Sequence, residues 1–355
     1  MKKILVIQPK MIGDVLASSV ICRAVKSAFP DAQVHYLIHR NTQPVIENNP
    51  DIDEIIATEP GGKLSDFIAL GKQLKLRQYD AVIDAYGKWE SIIPTYLSGA
   101  RIRIGFRKWY TKFFYTKLVV PAKNVSGSAI YHRLQLAEAL TGMSPTPEFP
   151  KIYLTLSEID EARAILQKHG DPQKPKLMIS VLGSGNSKSL PANQMAEMLD
   201  DIAEASDAQM ILNFMPSQQE EAMAIYHLCK PKTQSKILTE LYTKGLRGFI
   251  AVLSQCDALI GNEGGAVNMA KAVGIPTFTI FSPWINKSSW NMLEDDDLHV
   301  AVHLNDYHPE IYQGVHPKKF KVQVDLLYKM LKPELFRDKL TAFVKRVTQT
   351  SRGTN

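Results

Sequence analysis

An acidic side chain early in the sequence stands where it could act as a base. Asp14 closes the segment Lys10-Met-Ile-Gly-Asp, which follows a short apolar run and precedes a stretch with helical spacing. Gly13 can adopt backbone angles that other residues avoid, and the positive end of the helix favours an ionised carboxylate. Such a carboxylate can take a proton from a hydroxyl group. From local sequence alone, the other interpretation is that Asp14 only caps the helix.

The loop at 182–188 has the composition of a phosphate-binding turn. It reads Leu-Gly-Ser-Gly-Asn-Ser-Lys and lies between an apolar run and a helical pattern. Its small residues expose backbone N–H groups, Ser184 and Ser187 add hydroxyls, and Lys188 adds a positive charge. An ordinary strand-to-helix loop with a solvated lysine is the alternative.

The segment 260–283 is the most informative part of the sequence. Gly264 and Gly265 follow an apolar run and precede a helical pattern, so a ligand could approach the backbone and meet free N–H groups. These features predict a diphosphate site that needs no metal. Glu263 could accept hydrogen bonds from sugar hydroxyls or could cap the helix. Asn268 could bind the same ligand or could form only local hydrogen bonds.

A basic and aromatic segment at 101–117 favours an anionic amphiphile as a second ligand. It contains no acid, and its aromatic residues are Trp109, Tyr110, Phe113, Phe114 and Tyr115. Its bases are Arg101, Arg103, Arg107, Lys108, Lys112 and Lys117. The cations would meet acidic sugars and phosphates, and the aromatic rings could rest in a membrane interface. A nucleic acid would also meet the cations, and a solvated loop with core aromatics is the third interpretation.

Short apolar runs that alternate with helical segments must position these residues. This alternation is typical of a parallel sheet covered by helices on both faces, and it occurs twice. The predicted strands are 3–7, 33–38, 53–58, 81–86 and 101–106, and then 177–182, 209–214, 258–261 and 277–281. We therefore predict an α/β fold with two doubly wound halves that face a cleft, where such sheets place their ligands.

The expected division of the chain has four parts. Residues 1–155 form a first domain, 156–176 a linker, and 177–320 a second domain. Residues 321–355 form a helical tail that is expected to cross back to the first domain.

Composition and missing motifs exclude several classes of protein. The 355 residues are 45% hydrophobic and 22% charged, which excludes a disordered chain, and the net charge of +6 is too small for a histone-like binder. Neither a P-loop nor G-x-G-x-x-G is present. The three scattered cysteines favour buried, reduced thiols, and no apolar run approaches a membrane span, so we expect a cytoplasmic protein. The acidic run 294–297 is interpreted as a solvated loop and not a metal site.

The turn Met11-Ile-Gly-Asp14 and the segment from Glu263 to Pro283 resemble glycosyltransferase family 9, the ADP-heptose:lipopolysaccharide heptosyltransferases. The resemblance runs over nearly the whole chain. It implies the GT-B architecture, with two Rossmann-like domains that face a central cleft, the donor nucleotide on the second and the acceptor on the first. It also implies transfer with inversion and without a metal.

Carried over to this sequence, the resemblance makes Asp14 the catalytic base, Lys188 a phosphate ligand and Glu263 the acid near the donor sugar. The family usually has Asp-Thr/Ser-Gly-x-x-His where this chain has Glu263-Gly-Gly-Ala-Val-Asn268. The family's glycine-rich turn near the nucleoside is replaced here by 214–220. The resulting donor-binding candidates are Ser184, Ser187, Lys188, Gln218, Glu220, Glu263, Gly264, Gly265 and Asn268. The acceptor-binding candidates are Lys10, Arg101, Arg103, Arg107 and Lys108.

The resemblance therefore implies an enzyme that moves heptose from ADP-heptose to the lipopolysaccharide inner core, with no metal or other cofactor. Its partners would be a nucleotide sugar, an anionic lipopolysaccharide-type acceptor and the inner face of the cytoplasmic membrane, and not a nucleic acid. Two alternatives stay open. One is a related transferase with another nucleotide sugar, and the other is a sugar-nucleotide-binding protein without turnover.

Overall fold

The computed structural model describes residues 1–123, 125–291, 294–295 and 297–350. The chain divides into two compact units. The first unit contains Met1–Tyr153 and Ser288–Met292, and the second contains Leu154–Lys287 and Leu293–Asn355. Each unit is built around one parallel sheet, so the predicted α/β fold with two parallel sheets is confirmed.

The first unit has a six-stranded sheet in the order β3-β2-β1-β4-β5-β6. Its strands are β1 (Lys3–Ile7), β2 (Gln33–His39), β3 (Glu54–Thr58), β4 (Ala81–Asp84), β5 (Ile102–Phe106) and β6 (Lys117–Val119). Its helices are α1 (Ile12–Ala28), α2 (Leu64–Leu76), α3 (Trp89–Leu97) and α4 (Ser128–Thr141). The central strands are buried because helices cover both faces of the sheet, which explains their unbroken apolar runs. The strand order reverses between β1 and β4.

The second unit has a five-stranded sheet in the order β11-β10-β9-β7-β8. Its strands are β7 (Lys176–Ser180), β8 (Gln209–Asn213), β9 (Ala258–Asn262), β10 (Thr277–Ile280) and β11 (His299–Val302). Ile237 forms an isolated parallel bridge to Met210 of β8. This bridge stands where β3 stands in the first unit, so the two sheets share one strand order although no sequence repeat is visible.

The remaining helices follow in chain order. They are α5 (Leu156–His169), α6 (Ala192–Ala205), α7 (Gln219–Leu228), α8 (Pro231–Gln234), α9 (Gly245–Leu253), α10 (Gly265–Ala272), α11 (Lys287–Trp290), α12 (Val324–Met330) and α13 (Arg337–Thr350). Among the described helices, none combines the length and apolar character needed to cross a bilayer. The three cysteines are free and buried, as predicted.

The segment expected to be a linker belongs to the second unit. Thr155 caps α5, and Arg247 of α9 donates from Nη2 to Oε2 of Glu158 at 2.9 Å. This bond to Arg247 lowers the pKa of Glu158 to about 2. A capping box and an ion pair to α9 therefore make α5 an integral helix of the unit.

The C-terminal tail also differs from its expected place. The apolar side chains of α13 recur at helical spacing, and Leu340, Phe343, Val344 and Val347 join the core of the second unit. The ring centroid of Phe343 lies 5.7 Å from that of Phe278 on β10. The tail packs into the second unit because this apolar stripe is buried against its sheet.

We expect Phe343→Ala to destabilise the second unit by about 3 kcal/mol, because the change removes a buried ring and leaves a cavity. Urea unfolding followed by circular dichroism measures the loss. Lys345→Ala on the exposed side of the same helix is the matched control and should change stability little. An unchanged unfolding midpoint for Phe343→Ala would show that α13 is not part of this core.

Candidate active site

Asp14 lies in the first turn of α1, just beyond the carboxyl end of β1. Nη2 of Arg133 donates to its Oδ1 at 2.6 Å. The side chain of Arg133 is only 12% exposed, whereas that of Asp14 is 31% exposed. The carboxylate is thus held by a largely covered cation and is still open to a ligand. Gly13 lies inside the helix, so the unusual backbone angle expected there is not found.

Arg133 belongs to α4 and ties that helix to α1. Its Nε donates to Oγ of Ser18 at 2.7 Å, and its Nη1 donates to the carbonyl of Ala129. Tyr36 of β2 fixes the same end of α1 through a 2.7 Å bond from its hydroxyl to the carbonyl of Val15. Sequence reasoning missed Arg133, because 119 residues separate it from Asp14 and no local pattern links the two.

Lys10 forms an ion pair with Glu90 of α3. Its Nζ donates to Oε2 at 3.0 Å, and Nε2 of His39 lies 3.3 Å from Oε1 of the same carboxylate. The hydrogen bond to Glu90 raises the pKa of Lys10, while burial lowers the pKa of His39. As an acceptor-binding candidate, Lys10 is therefore partly neutralised by its own unit.

The turn after β4 is organised by a buried carboxylate. Asp84 accepts from the amides of Tyr86 and Gly87 and from the hydroxyl of Tyr115 at 2.6 Å. Burial raises the pKa of Asp84. The carbonyl of Gly87 then accepts from Nζ of Lys108 at 2.6 Å. Lys108 thus holds two turns together, a structural role that the sequence did not indicate.

The structure separates the other acceptor-binding candidates along β5. Arg107 is exposed just beyond the carboxyl end of this strand. Asp14 follows the carboxyl end of β1, so both residues lie at the same edge of the parallel sheet. Arg101 precedes the strand at the opposite edge of the sheet. Arg103 donates to the carbonyls of Ala100 and Phe114 and so fixes the backbone. Among these three, only Arg107 combines the carboxyl edge with an exposed side chain.

In the second unit, the loop after β7 is tightly braced. The side chain of Asn262, fully buried at the end of β9, accepts from the amide of Leu190 at 2.8 Å and donates to the carbonyls of Ser180 and Val181. A Cβ on Gly183 would lie 2.2 Å from the carbonyl oxygen of Lys188, so only glycine permits this close turn. Sequence reasoning missed Asn262, although a polar residue that closes an apolar strand was a visible signal.

Lys188 and Glu263 bring the two predicted anion loops together. Nζ of Lys188 lies 3.0 Å from Oε1 of Glu263, but that oxygen has no directed hydrogen bond, so charge holds the pair. Glu263 is buried, whereas Lys188 retains 27% exposure. This contact supports the prediction that both residues belong to one site.

Trp284 lies close to two ammonium groups. Nζ of Lys188 is 5.8 Å from its ring centroid and Nζ of Lys321 is 5.0 Å away. The indole N–H donates to the carbonyl of Ser187 at 2.8 Å, and the hydroxyl of Tyr312 donates to the carbonyl of Pro283. Lys321 and Trp284 were not among the candidates. Tyr312 therefore supports the turn that carries Trp284.

The turn before α10 leaves its backbone open. Gly264 has φ of +155°, and no heavy atom lies within 4 Å of a Cβ built on it. Gly265 begins the helix, so the first amides of α10 have no helical partner. Asn268 is half-buried in this first turn, and its backbone N–H donates to the carbonyl of Gly264 at 3.4 Å. The turn can accept an anion at its backbone.

The remaining donor-binding candidates either fix the local structure or are exposed to solvent. Gln218 donates from Nε2 to the carbonyl of Gly183 at 2.9 Å and accepts from the amide of Met215, so it positions the loop after β7. Ser184 and Glu220 are exposed. Ser187 uses its carbonyl to hold Trp284 and Ser282.

The acidic run at 294–297 has internal roles in its described part. Oδ1 of Asp295 accepts from the amides of Asp297, Leu298 and His299, and Asp297 pairs with Arg346 at 3.0 Å. Asp296 lies outside the described residues. Within those that are described, no group of three His, Cys, Asp or Glu side chains is arranged to hold a metal ion.

The sequence model of glycosyltransferase family 9 (heptosyltransferase) matches residues 67–313, well over half of the chain. The chain belongs to this family. The match includes Lys188, Glu263 and the turn before α10, while Asp14 precedes it. The protein is thus a family 9 glycosyltransferase, and the family and enzyme class implied by the resemblance are confirmed.

Individual relatives agree with this assignment. A Haemophilus influenzae protein, whose name places it among glycosyltransferases without a stated substrate, is 23% identical over 312 residues, covering 85% of this chain and 89% of its own. The structure of Escherichia coli ADP-heptose lipopolysaccharide heptosyltransferase II has a TM-score of 0.71 at 18% identity, covering 93% of this chain and 99% of its own. That of E. coli heptosyltransferase WaaC with ADP-2-deoxy-2-fluoro heptose has a TM-score of 0.65 at 16% identity, covering 84% and 92%. These structures confirm the GT-B fold.

Proposed function

We propose that this family 9 enzyme transfers heptose from ADP-heptose to the inner core of lipopolysaccharide, with inversion and without a metal. The observation that carries the proposal is the ion pair between Lys188 and Glu263. It joins the glycine loop after β7 to the glycine turn before α10, and β7 and β9 are neighbours in the sheet. Two solved relatives are named for ADP-heptose or for an analogue of it.

The second unit supplies the donor site in this proposal. Open amides at Gly264 and Gly265 and the ammonium of Lys188 meet the diphosphate, because a helix start and a lysine both favour negative charge. Lys321, whose Nζ lies 5.0 Å from the ring centroid of Trp284, adds a second positive charge nearby. Glu263 accepts hydrogen bonds from sugar hydroxyls once Lys188 turns to the phosphate. Gln218 and Asn262 keep the two loops in register.

The first unit supplies the base. Asp14 removes the proton from an acceptor hydroxyl while that oxygen forms a bond to the anomeric carbon. The bond from this carbon to the diphosphate oxygen breaks on the opposite face, and its electron pair leaves with ADP. Positive charge develops on the sugar and negative charge on the departing phosphate. Lys188 and the glycine amides stabilise that leaving charge, so no metal is needed.

Arg133 is a positioning residue in this scheme. Its bond to Oδ1 of Asp14 fixes the carboxylate and leaves Oδ2 to face the acceptor. The acceptor is an anionic lipid-linked saccharide, met by the exposed cation of Arg107 at the same edge of the sheet, and its lipid places the reaction at the membrane surface.

Asp14→Asn should slow transfer at least about a hundredfold, because the amide cannot take the acceptor proton. Its affinity for ADP should stay at the wild-type value, measured by calorimetry. Transfer is followed with ADP-heptose and a lipopolysaccharide inner-core acceptor in buffer with EDTA, where the wild type should keep its full rate. Asp31→Asn, an exposed acid of the same unit, is the control. Undiminished transfer by Asp14→Asn would assign the base elsewhere.

Arg133→Met should lower kcat about a hundredfold through a misplaced base. Its KM for ADP-heptose should change little, because Arg133 bonds to Asp14, Ser18 and Ala129 and to no residue of the proposed donor site. Arg133→Lys can keep one bond to Asp14 and should restore part of kcat. A loss of donor affinity or of thermal stability as large as the loss of kcat would mean that Arg133 is only structural.

Lys188→Met should weaken ADP binding about tenfold, since a charge-assisted contact to phosphate is lost. Calorimetry measures the affinity, and Lys168→Met on the exposed side of α5 is the control. The single change leaves the buried Glu263 without its cationic partner, and the double variant Lys188→Met/Glu263→Gln removes that carboxylate as well. If the double variant binds ADP as the wild type does, Lys188 only neutralises Glu263 and has no direct part in donor binding.

A further inference from the structure

A basic aromatic surface on the first unit contributes only Arg107 to the proposed chemistry. We define it by Trp89, Tyr96, Arg107, Trp109, Lys112 and Phe113. Trp109 is 89% exposed and Phe113 is 76% exposed. Six aromatic side chains are exposed among the described residues, and four of them belong to this surface. Such a concentration of exposed rings on one patch marks an interaction site.

The exposed rings stand on a rigid base. The ring centroid of Trp89 lies 5.6 Å from that of Tyr110 and 5.8 Å from that of Phe114, and Tyr96 packs edge to face on Phe114 at 5.6 Å. The turn that carries Trp109 and Phe113 is closed by buried Thr111, whose Oγ1 donates to the carbonyl of Phe106. The expected core aromatics are thus only the inner rings, while Trp109 and Phe113 project outward.

The charge around these rings has one sign. No acid occurs between Glu90 and Glu138, while this stretch holds eight arginines and lysines. Arg107 and Lys112 are exposed, and Nζ of Lys112 lies 4.8 Å from the ring centroid of Phe113. Glu90, the nearest acid in sequence, is already paired with Lys10. Arg107 and Lys112 therefore place positive charge beside the exposed rings.

We infer that the basic aromatic surface docks on a bilayer that contains anionic phospholipid. Trp109 and Phe113 enter the interface between head groups and acyl chains, and Arg107 and Lys112 meet lipid phosphates. We favour lipid over nucleic acid because Trp109 and Phe113, the two most exposed rings, lie on one turn beside Lys112, an arrangement that suits the interface between head groups and acyl chains. The hydroxyls of Thr111 and Thr116 are engaged with the backbone. The inference extends the proposed function, which brings the enzyme to a lipid-anchored acceptor.

Vesicle flotation tests the docking without donor or acceptor. The full-length protein is mixed with vesicles of phosphatidylcholine alone or of equal phosphatidylcholine and phosphatidylglycerol. We expect binding to the anionic vesicles only, weakened by added salt. Trp109→Ser/Phe113→Ser should lower the affinity at least about tenfold, because the inserted apolar area is lost. Leu76→Ser, an exposed apolar residue that is 84% accessible on α2, is the control and should bind as the wild type does.

Insertion and turnover are measured separately. Lipids brominated on the acyl chain should quench tryptophan emission in the wild type and much less in Trp109→Phe. Hydrolysis or transfer of ADP-heptose with a delipidated, soluble core acceptor should be unchanged in Trp109→Ser/Phe113→Ser. A loss of this soluble activity would place the rings in the acceptor site and overturn the docking role, whereas inactive wild-type protein that still floats with anionic vesicles would reject only the proposed function.

Three further results would overturn the inference. The first is a wild type that does not float with anionic vesicles. The second is equal binding by the wild type and the double serine variant. The third is that the wild type binds single-stranded polyuridylate but not vesicles, and that the double serine variant no longer binds polyuridylate. This result would assign the surface to nucleic acid.

Discussion

Strands that are buried on both faces can offer chemistry only at their ends. In both units the central strands are apolar between their first and last residues, and helices cover the two faces of each sheet. Polar side chains therefore gather where a strand stops and the next helix begins, which is also where backbone amides are free. Asp14 follows β1, Lys188 follows β7 and Glu263 follows β9. The same constraint places the candidate base at the end of one sheet and the glycine-lined anion site at the end of the other.

Local pattern was sufficient for most of the elements and for the loops that carry chemistry, but β6 and α4 were not predicted. Asp14, Lys188, Gly264 and Gly265 were identified because each follows an apolar run and precedes a helical one. The contacts that fix these residues could not be found in this way. Arg133 reaches Asp14 across 119 positions, and Asn262 bonds to residues more than 70 positions away. Such pairings depend on which strands become neighbours, and a single sequence does not state the strand order.

The basic segment shows the same limit in a different form. Composition placed Arg101, Arg103, Arg107 and Lys108 in one group, but a strand that runs from one edge of a sheet to the other separates its two ends. The side chains of Lys108 and Arg103 donate hydrogen bonds to backbone carbonyls, and a count of bases does not reveal this. Exposure then divides the aromatics into inner rings that support the turn and outer rings that meet solvent.

The packing of α13 bears on the order in which the protein can fold as it is made. Phe343 and Val347 complete the hydrophobic interior that begins at β7, so ribosomes must add roughly the whole second half of the chain before that interior can close. Until then, Phe278 and its neighbours on β10 lack the side chains that cover them in the folded unit. Ser288 adds a further dependence for the first unit, because its carbonyl accepts from the amide of Gly127 at 2.8 Å and so returns a late segment to the early half. The first unit therefore also waits for a segment that follows most of the second unit in the sequence.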